Sequence, residues 1–237
     1  MEKSNKLFLL FLMTVLLFSV VVTPVGSPFV HAENKPPVEY VDPLIGTDVY
    51  FPEGAMGEAN VFPGATTPHG MVQLSPDTGR HIAGYLYSDD HIEGFSFTHF
   101  SGTGSWGFGN FLSTATTGEL HTTENTYKSK FSHEEETASA GYYSVRLQDY
   151  DIQAELTATT RVGLLRYTFP ESDTSRILLD ASHTLEDEPV SDATIQVLDN
   201  ETVVGSQTNP SPFHHGPTPY TIYVAAKFSQ PFDSYGT

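Results

Sequence analysis

The 237-residue chain contains no cysteine. No disulfide can staple it, and neither a thiolate nucleophile nor a cysteine-held metal centre is available. Basic residues are scarce: 11 Lys and Arg stand against 29 Asp and Glu, a formal charge of −18 at pH 7. Such a surface repels phosphate backbones, and no basic patch interrupts it, so nucleic acid is excluded as a partner. There is no Gly-x-Ser-x-Gly elbow, no phosphate-binding loop and no histidine pair at zinc spacing. From Tyr40 onward no apolar pattern of helical period lasts three turns.

One long apolar run exists, at the start. Lys3 and Lys6 precede residues 7–22, which are almost wholly apolar, and Val30-His31-Ala32 has the form of a small-residue cleavage site. Residues 1–32 read as a secretory signal peptide, which makes the body secreted or extracytoplasmic. An uncleaved anchor is the other reading of that run. Residues 33–39, with the Pro36-Pro37 pair, read as a linker, and 40–237 as one domain.

Period-two alternation fills the second half of that domain. Tyr143, Val145 and Leu147 share one face of a strand over 142–147, and Ile152, Ala154 and Leu156 one face of a strand over 152–157. The intervening Asp149-Tyr150-Asp151 is a hairpin turn. Further strands are expected over 161–169, 176–180, 193–198, 201–206 and 220–228, the fourth following an Asp199-Asn200 turn. This spacing is that of an all-β protein, a β-sandwich. Residues 42–80, rich in Gly and Pro, read as irregular surface. The chain ends at FSQPFDSYGT with no closing pattern, so the sandwich is expected to be incomplete at its carboxyl end.

Chemistry concentrates in Gly94–Asn110, GFSFTHFSGTGSWGFGN, where five glycines are interleaved with His99, Ser101, Thr103, Ser105 and the single tryptophan, Trp106. A flat apolar face beside clustered hydroxyls is the chemistry of sugar binding. A turn with an aromatic tucked into the core is the alternative. The acidic runs Glu134-Glu135-Glu136 and Glu186-Asp187-Glu188 are not acid/base pairs, because adjacent residues of an extended segment face opposite ways; they read as a solvated edge. Asp89-Asp90-His91 lacks the alternating oxygen ligands of a calcium loop. His214-His215, in a Pro-rich loop, reads as surface.

Five colinear blocks carry a resemblance: YVDPLIGT from Tyr40, FPGATTPHGMVQLSPDT from Phe62, GYLYSDDHIEGFSFTHFSGTG from Gly84, the stretch from Phe131 to Pro170, and KFSQPFDSYGT from Lys227. Together they resemble the amino-terminal domain of the glycoside hydrolase family 92 α-mannosidases across nearly all of 40–237. The resemblance implies a secreted or periplasmic, exo-acting, inverting, calcium-dependent α-mannosidase acting on mannose-containing glycans. It further implies that a larger helical domain, absent here, carries the catalytic acid and base and most calcium ligands. On that reading this chain is truncated before the catalytic domain and inactive alone, with no catalytic residue and no metal ligand of its own. It would shape one wall of the sugar site through Phe62, Gly64, His99, Ser101, Gly102, Thr103 and Trp106. Core packing is the rival role for Phe62 and His99, loop bracing for Ser101, Gly102 and Thr103, and turn capping for Asp77.

The chain departs from the family pattern just after SGTG. Many relatives carry there a Cys, one further residue and Asp-Tyr-Gly-Asp; here both acidic positions are neutral, at Gly107 and Asn110. Some α-1,2-preferring members place a tryptophan in this loop, which Trp106 matches with a one-residue shift, and linkage preference stays open. A non-catalytic carbohydrate-binding module, or an inactive remnant, is the competing function.

Overall fold

The computed structural model describes residues 35–49, 60–186, 189–211 and 218–237. The signal peptide expected over 1–32, together with Asp187-Glu188 and His214-His215, lies outside the described residues. Residues 37–237 form one compact unit. A single 3-10 turn, Pro37–Tyr40, opens it, and no described helix is long and apolar enough to cross a membrane.

The architecture is all β. In chain order the strands are β1 (Ala65–Thr66), β2 (Gln73–Asp77), β3 (His91–Ile92), β4 (Gly94–Ser96), β5 (Leu112–Thr116), β6 (Ser129–Lys130), β7 (Glu136–Ser139), β8 (Tyr142–Leu147), β9 (Ile152–Ala158), β10 (Gly163–Thr168), β11 (Arg176–Asp180), β12 (Asp192–Val197), β13 (Thr202–Asn209) and β14 (Tyr220–Lys227). One short helix, α1 (Glu124–Tyr127), lies between β5 and β6. Every pairing among them is antiparallel. The sheets run β1-β2-β4-β5-β11, β10-β9-β8-β7, β12-β13-β14 and β3-β6.

The first two sheets bury one core between them. Ala65, Leu74, Phe95 and Ala115 of one meet Tyr143, Val145, Leu147, Ile152, Ala154 and Leu156 of the other in a single apolar cluster. The alternation read from β8 and β9 is the cause: each strand turns every second side chain inward, giving burial patterns that alternate residue by residue. Filling that layer stabilises the fold by about 1.5–3 kcal/mol for each large aliphatic side chain fully buried. Tight reversals fix the register. β7 and β8 are joined by Ala140-Gly141, and Leu147 pairs with Ile152 across a four-residue turn in which Asp151 takes a left-handed φ of 58°.

The structure corrects two expectations. Residues 42–80, expected to be irregular, contain β1 and the fully sheeted β2. The acidic run at 134–136 is not wholly solvated. The Glu136 carboxylate is buried, accepting hydrogen bonds from Tyr85 Oη (2.9 Å) and Tyr143 Oη (2.7 Å) and facing His133 Nδ1 at 2.6 Å. Burial beside that carboxylate pushes both tyrosine hydroxyls well above their ordinary range. Glu186, from the second acidic run, is buried as well.

Candidate functional site

Asp77, the last residue of β2, lies at the centre of the site. Its surroundings are tight: Gly84, in a left-handed turn at φ 80°, stands where a Cβ would come within 2.2 Å of Asp77 Oδ1. The backbone is pinned on both sides, Thr78 N donating to Gly84 O (2.8 Å) and Glu93 N to Asp77 O (2.8 Å). Read from sequence as a turn cap, Asp77 is instead fully buried and grips two histidines. His99 Nε2 is 2.8 Å from its Oδ1 and His183 Nε2 is 3.0 Å from its Oδ2.

His99 follows β4 and faces inward, with no side-chain surface exposed. Its Nδ1 lies 2.7 Å from the carbonyl of Gln73, which can only accept, so Nδ1 carries a proton. Its Nε2 also lies 3.1 Å from Ser96 Oγ. Both ring nitrogens are engaged by the protein, and the ring face supports Phe62, centroids 5.2 Å apart. Gly64 sits beside them, where a Cβ would come within 2.1 Å of Leu74 O. Thus β1, β2 and the segment after β4 form a packed bed beneath Phe62, which itself is half-buried.

His183 arrives from the turn after β11. That turn is built by Asp180, whose Oδ1 accepts from Ser182 N (2.8 Å) and Ser182 Oγ (2.6 Å) and whose Oδ2 accepts from Tyr127 Oη of α1 (3.2 Å). Gln207 of β13 donates to the His183 carbonyl (2.7 Å). On its far side His183 Nδ1 is 3.5 Å from Glu124 Oε1, at the start of α1. Glu124 in turn neighbours Glu93, which stands between β3 and β4.

A line of charge therefore runs Glu93, Glu124, His183, Asp77, His99. Burial by itself would raise the Asp77 carboxyl; the charge of His99 and hydrogen bonds from His183 and His99 outweigh it and bring Asp77 down to about 2. Burial by itself would lower the His183 imidazole; its hydrogen bond to Asp77 and its contact with the Glu124 carboxylate outweigh it and carry His183 up to about 10. Burial and the adjacent Glu124 charge hold Glu93 well above the usual carboxylate range, while the His183 contact holds Glu124 well below it. The two glutamates share one proton, which rests on Glu93.

The loop from Ser101 to Asn110 has two halves. Ser101, Gly102, Thr103 and Gly104 are exposed. Gly102 N donates to Asn60 O (2.5 Å), and Thr103 Oγ1 donates to Ser105 O (3.2 Å). Trp106 is half-buried. Beyond it the loop dives inward. Phe108 takes φ 67°, a conformation costing about 1–2 kcal/mol for a residue with a Cβ. It is held there by ring contacts to Phe100 (4.2 Å) and Tyr220 (5.6 Å, edge-on) and by Leu185 N donating to its carbonyl (2.9 Å). Asn110, one of the two neutralised motif positions, is fully buried, accepting from Thr98 Oγ1 (2.8 Å) and donating to Tyr220 Oη (3.3 Å). It braces the loop.

The structure thus brings Phe62, Gly64 and His99 together as a bed, leaves Ser101, Gly102 and Thr103 on an open rim, and sets Trp106 between. The residues that sequence reasoning passed over are Glu93, Glu124 and His183, while Asp77 was read only as a turn cap. Among the described residues, Glu93, Glu124 and His183 are one group able to hold a metal ion, although no metal ligand was expected in this chain.

Known proteins bear on what such a bed serves. The model of the glycosyl hydrolase family 92 N-terminal domain matches residues 40–237. The chain belongs to family 92. A solved α-mannosidase of that family from Bacteroides thetaiotaomicron, in complex with mannoimidazole, is 36% identical with a TM-score of 0.74, covering 83% of this chain and 26% of its own. An inverting family 92 mannosidase of the same organism is 25% identical with a TM-score of 0.59, covering 84% of this chain and 30% of its own. A secreted glycosidase of Arthroderma benhamiae is 30% identical over 148 residues, 57% of this chain and 18% of its own length. The chain thus spans roughly a quarter of the solved family 92 enzymes it matches.

Proposed function

We propose that this family 92 domain forms the β-sandwich wall of the sugar site in a secreted, exo-acting, inverting α-mannosidase that removes terminal α-linked mannose from glycans. The observation that carries the reading is the likeness, over 83% of this chain, to an α-mannosidase solved with mannoimidazole. The geometry agrees with it: Phe62 offers an apolar face on a bed too tightly packed to yield, and the rim of Ser101, Gly102 and Thr103 offers hydroxyl and backbone groups to a polar ligand. In this reading His99 positions Phe62 from below, and Trp106 borders the sugar on the leaving-group side.

The domain supplies no catalytic carboxylate in this reading. An inverting glycosidase needs its two carboxyl groups about 6.5–9.5 Å apart to seat a water. The half-buried pair Glu93 and Glu124 is too close, with ligand atoms inside 4.8 Å and one shared proton. The family's calcium finds no fit here either. Calcium takes six to eight oxygen ligands, whereas the one metal-capable group of the described residues offers two carboxylates and an imidazole nitrogen. Its ligands, and the acid and base, are proposed to lie in a helical domain beyond this chain.

Proton NMR of an α-mannobiose digest tests the reading. The full-length protein should release mannose that appears first as the β anomer, and the 237-residue chain alone should release none. Mannose appearing first as the α anomer, or release by this chain alone, would overturn it.

A further inference from the structure

We propose that Glu93, Glu124 and His183 bind one divalent cation of the zinc type. This goes beyond the glycosidase reading and does not depend on it. The three side chains come from different parts of the fold: the segment between β3 and β4, the start of α1, and the turn after β11. Their ligand atoms nevertheless all lie within 4.8 Å of one another.

Two buried atoms point to an occupant. His183 is 6% exposed, and its Nε2–H is committed to Asp77 Oδ2 at 3.0 Å, which leaves Nδ1 turned toward the carboxylates. A carboxylate behind a histidine, fixing its tautomer and orientation, is the usual second-layer support of a metal-bound imidazole. The approach of Nδ1 to Glu124 Oε1, 3.5 Å, is long for an N–H···O hydrogen bond. It is close to the edge of a tetrahedron around zinc, about 3.3 Å for bonds of about 2.0–2.1 Å. Glu93 Oε2 is sealed from solvent and has no hydrogen-bond partner.

Charge selects the class of ion. Two carboxylates and a neutral imidazole balance a dication, whose binding would displace the protons these groups otherwise hold. The mixed nitrogen and oxygen donors suit zinc and its neighbours and not calcium. The site is prepared in advance, since Glu93 N is fixed on Asp77 O, the His183 carbonyl on Gln207, and α1 on Asp180 through Tyr127.

The test uses the full-length protein, stripped with EDTA, dialysed and titrated with zinc chloride. Calorimetry should show tight zinc binding that both Glu93→Gln and Glu124→Gln weaken at least about tenfold. Cobalt should give the visible absorption of a tetrahedral site in the wild type and not in either variant. Glu93→Gln should leave the melting temperature of the stripped protein close to the wild-type value, because Glu93 already holds the shared proton there, while losing the further rise that zinc gives the wild type. Zinc binding left intact in both variants, calcium preferred to zinc, or no zinc bound by the wild type would each overturn the assignment.

Discussion

Gly84 and Gly102 both adopt left-handed backbone, at φ 80° and 73°, in segments that serve the same candidate site. A methyl group added to Gly84 would sit 2.2 Å from Asp77 Oδ1, 3.0 Å from Leu185 Cδ1 and 3.1 Å from His99 Cδ2; one added to Gly102 would meet nothing within 4 Å. The difference separates two ways of building a binding wall. The bed around Asp77 is over-determined, both Asp77 oxygens and both His99 ring nitrogens held by partners in a space that admits no extra carbon. The rim from Ser101 to Gly104 is held by few bonds and leaves its groups exposed. Rigid supports with open edges are how folds combine a fixed site with adaptable contacts.

The largest effect should come from breaking the bed. Asp77→Ala leaves two histidines buried without their shared carboxylate, and losing one partner of a buried ion pair costs about 3–5 kcal/mol. Chemical denaturation of the full-length protein should show a loss of that size, and a loss under about 1 kcal/mol would mean the bed is not the anchor. Gly84→Ala should follow at about 3 kcal/mol, from left-handed strain plus overpacking. Gly102→Ala should cost about 1 kcal/mol, from strain alone. Equal losses for the two glycine variants would erase the contrast.

Proton linkage sharpens the same point, measured with EDTA present. Asp77 is lowered from 3.8 to about 2, so its contribution is present above about pH 4 and is lost as pH falls through about 2. His183 is raised from 6.5 to about 10, so its contribution is full below about pH 6.5 and is lost as pH rises through about 10. Stability should therefore be greatest between about pH 4 and 6.5 and decline on both sides. In Asp77→Asn both limbs should flatten, because the amide neither titrates nor holds a histidine proton by charge.

The strands were legible in the sequence and the bed was not. Alternation in 142–147 and 152–157 named the inward faces of β8 and β9 correctly, because a half-buried antiparallel strand writes its burial into every second residue. The strand over 176–180 matches β11 residue for residue. Asp77 was misread because Ser75-Pro76-Asp77-Thr78 is locally indistinguishable from a turn, while its partners lie 22 and 106 residues away. No periodicity encodes such a contact. Glu136 was closer to reach: alternate residues of β7 face opposite ways, and Glu136 shares its face with Ala138, which packs on the core.

A smaller effect is expected at Trp106, between bed and rim. Trp106→Ala should lower the ratio of disaccharide to aryl-mannoside turnover about tenfold, through loss of about 1–2 kcal/mol of stacking on the leaving-group side. A melting temperature lowered with the ratio unchanged would assign the indole to packing instead.

The smallest effect on the fold should come from the rim hydroxyls. Ser101 is exposed, and Thr103 Oγ1 bonds only within its own loop, donating to Ser105 O at 3.2 Å and facing Ser105 N at 3.4 Å. Water can replace both bonds, so Ser101→Ala with Thr103→Ala should change stability by no more than about 0.5 kcal/mol. If these groups meet the sugar, the cost falls on binding: each lost hydrogen bond to a neutral hydroxyl should remove about 0.5–1.5 kcal/mol, and KM for a mannoside should rise several-fold at an unchanged melting temperature. The pair also separates sugar contact from loop bracing. Bracing predicts that the open half loosens, with faster amide exchange at Gly102 and Gly104, whereas contact predicts exchange unchanged in the free protein and a KM that still rises. Unchanged KM together with unchanged exchange would remove both hydroxyls from the wall and leave the sugar to Phe62 and Trp106.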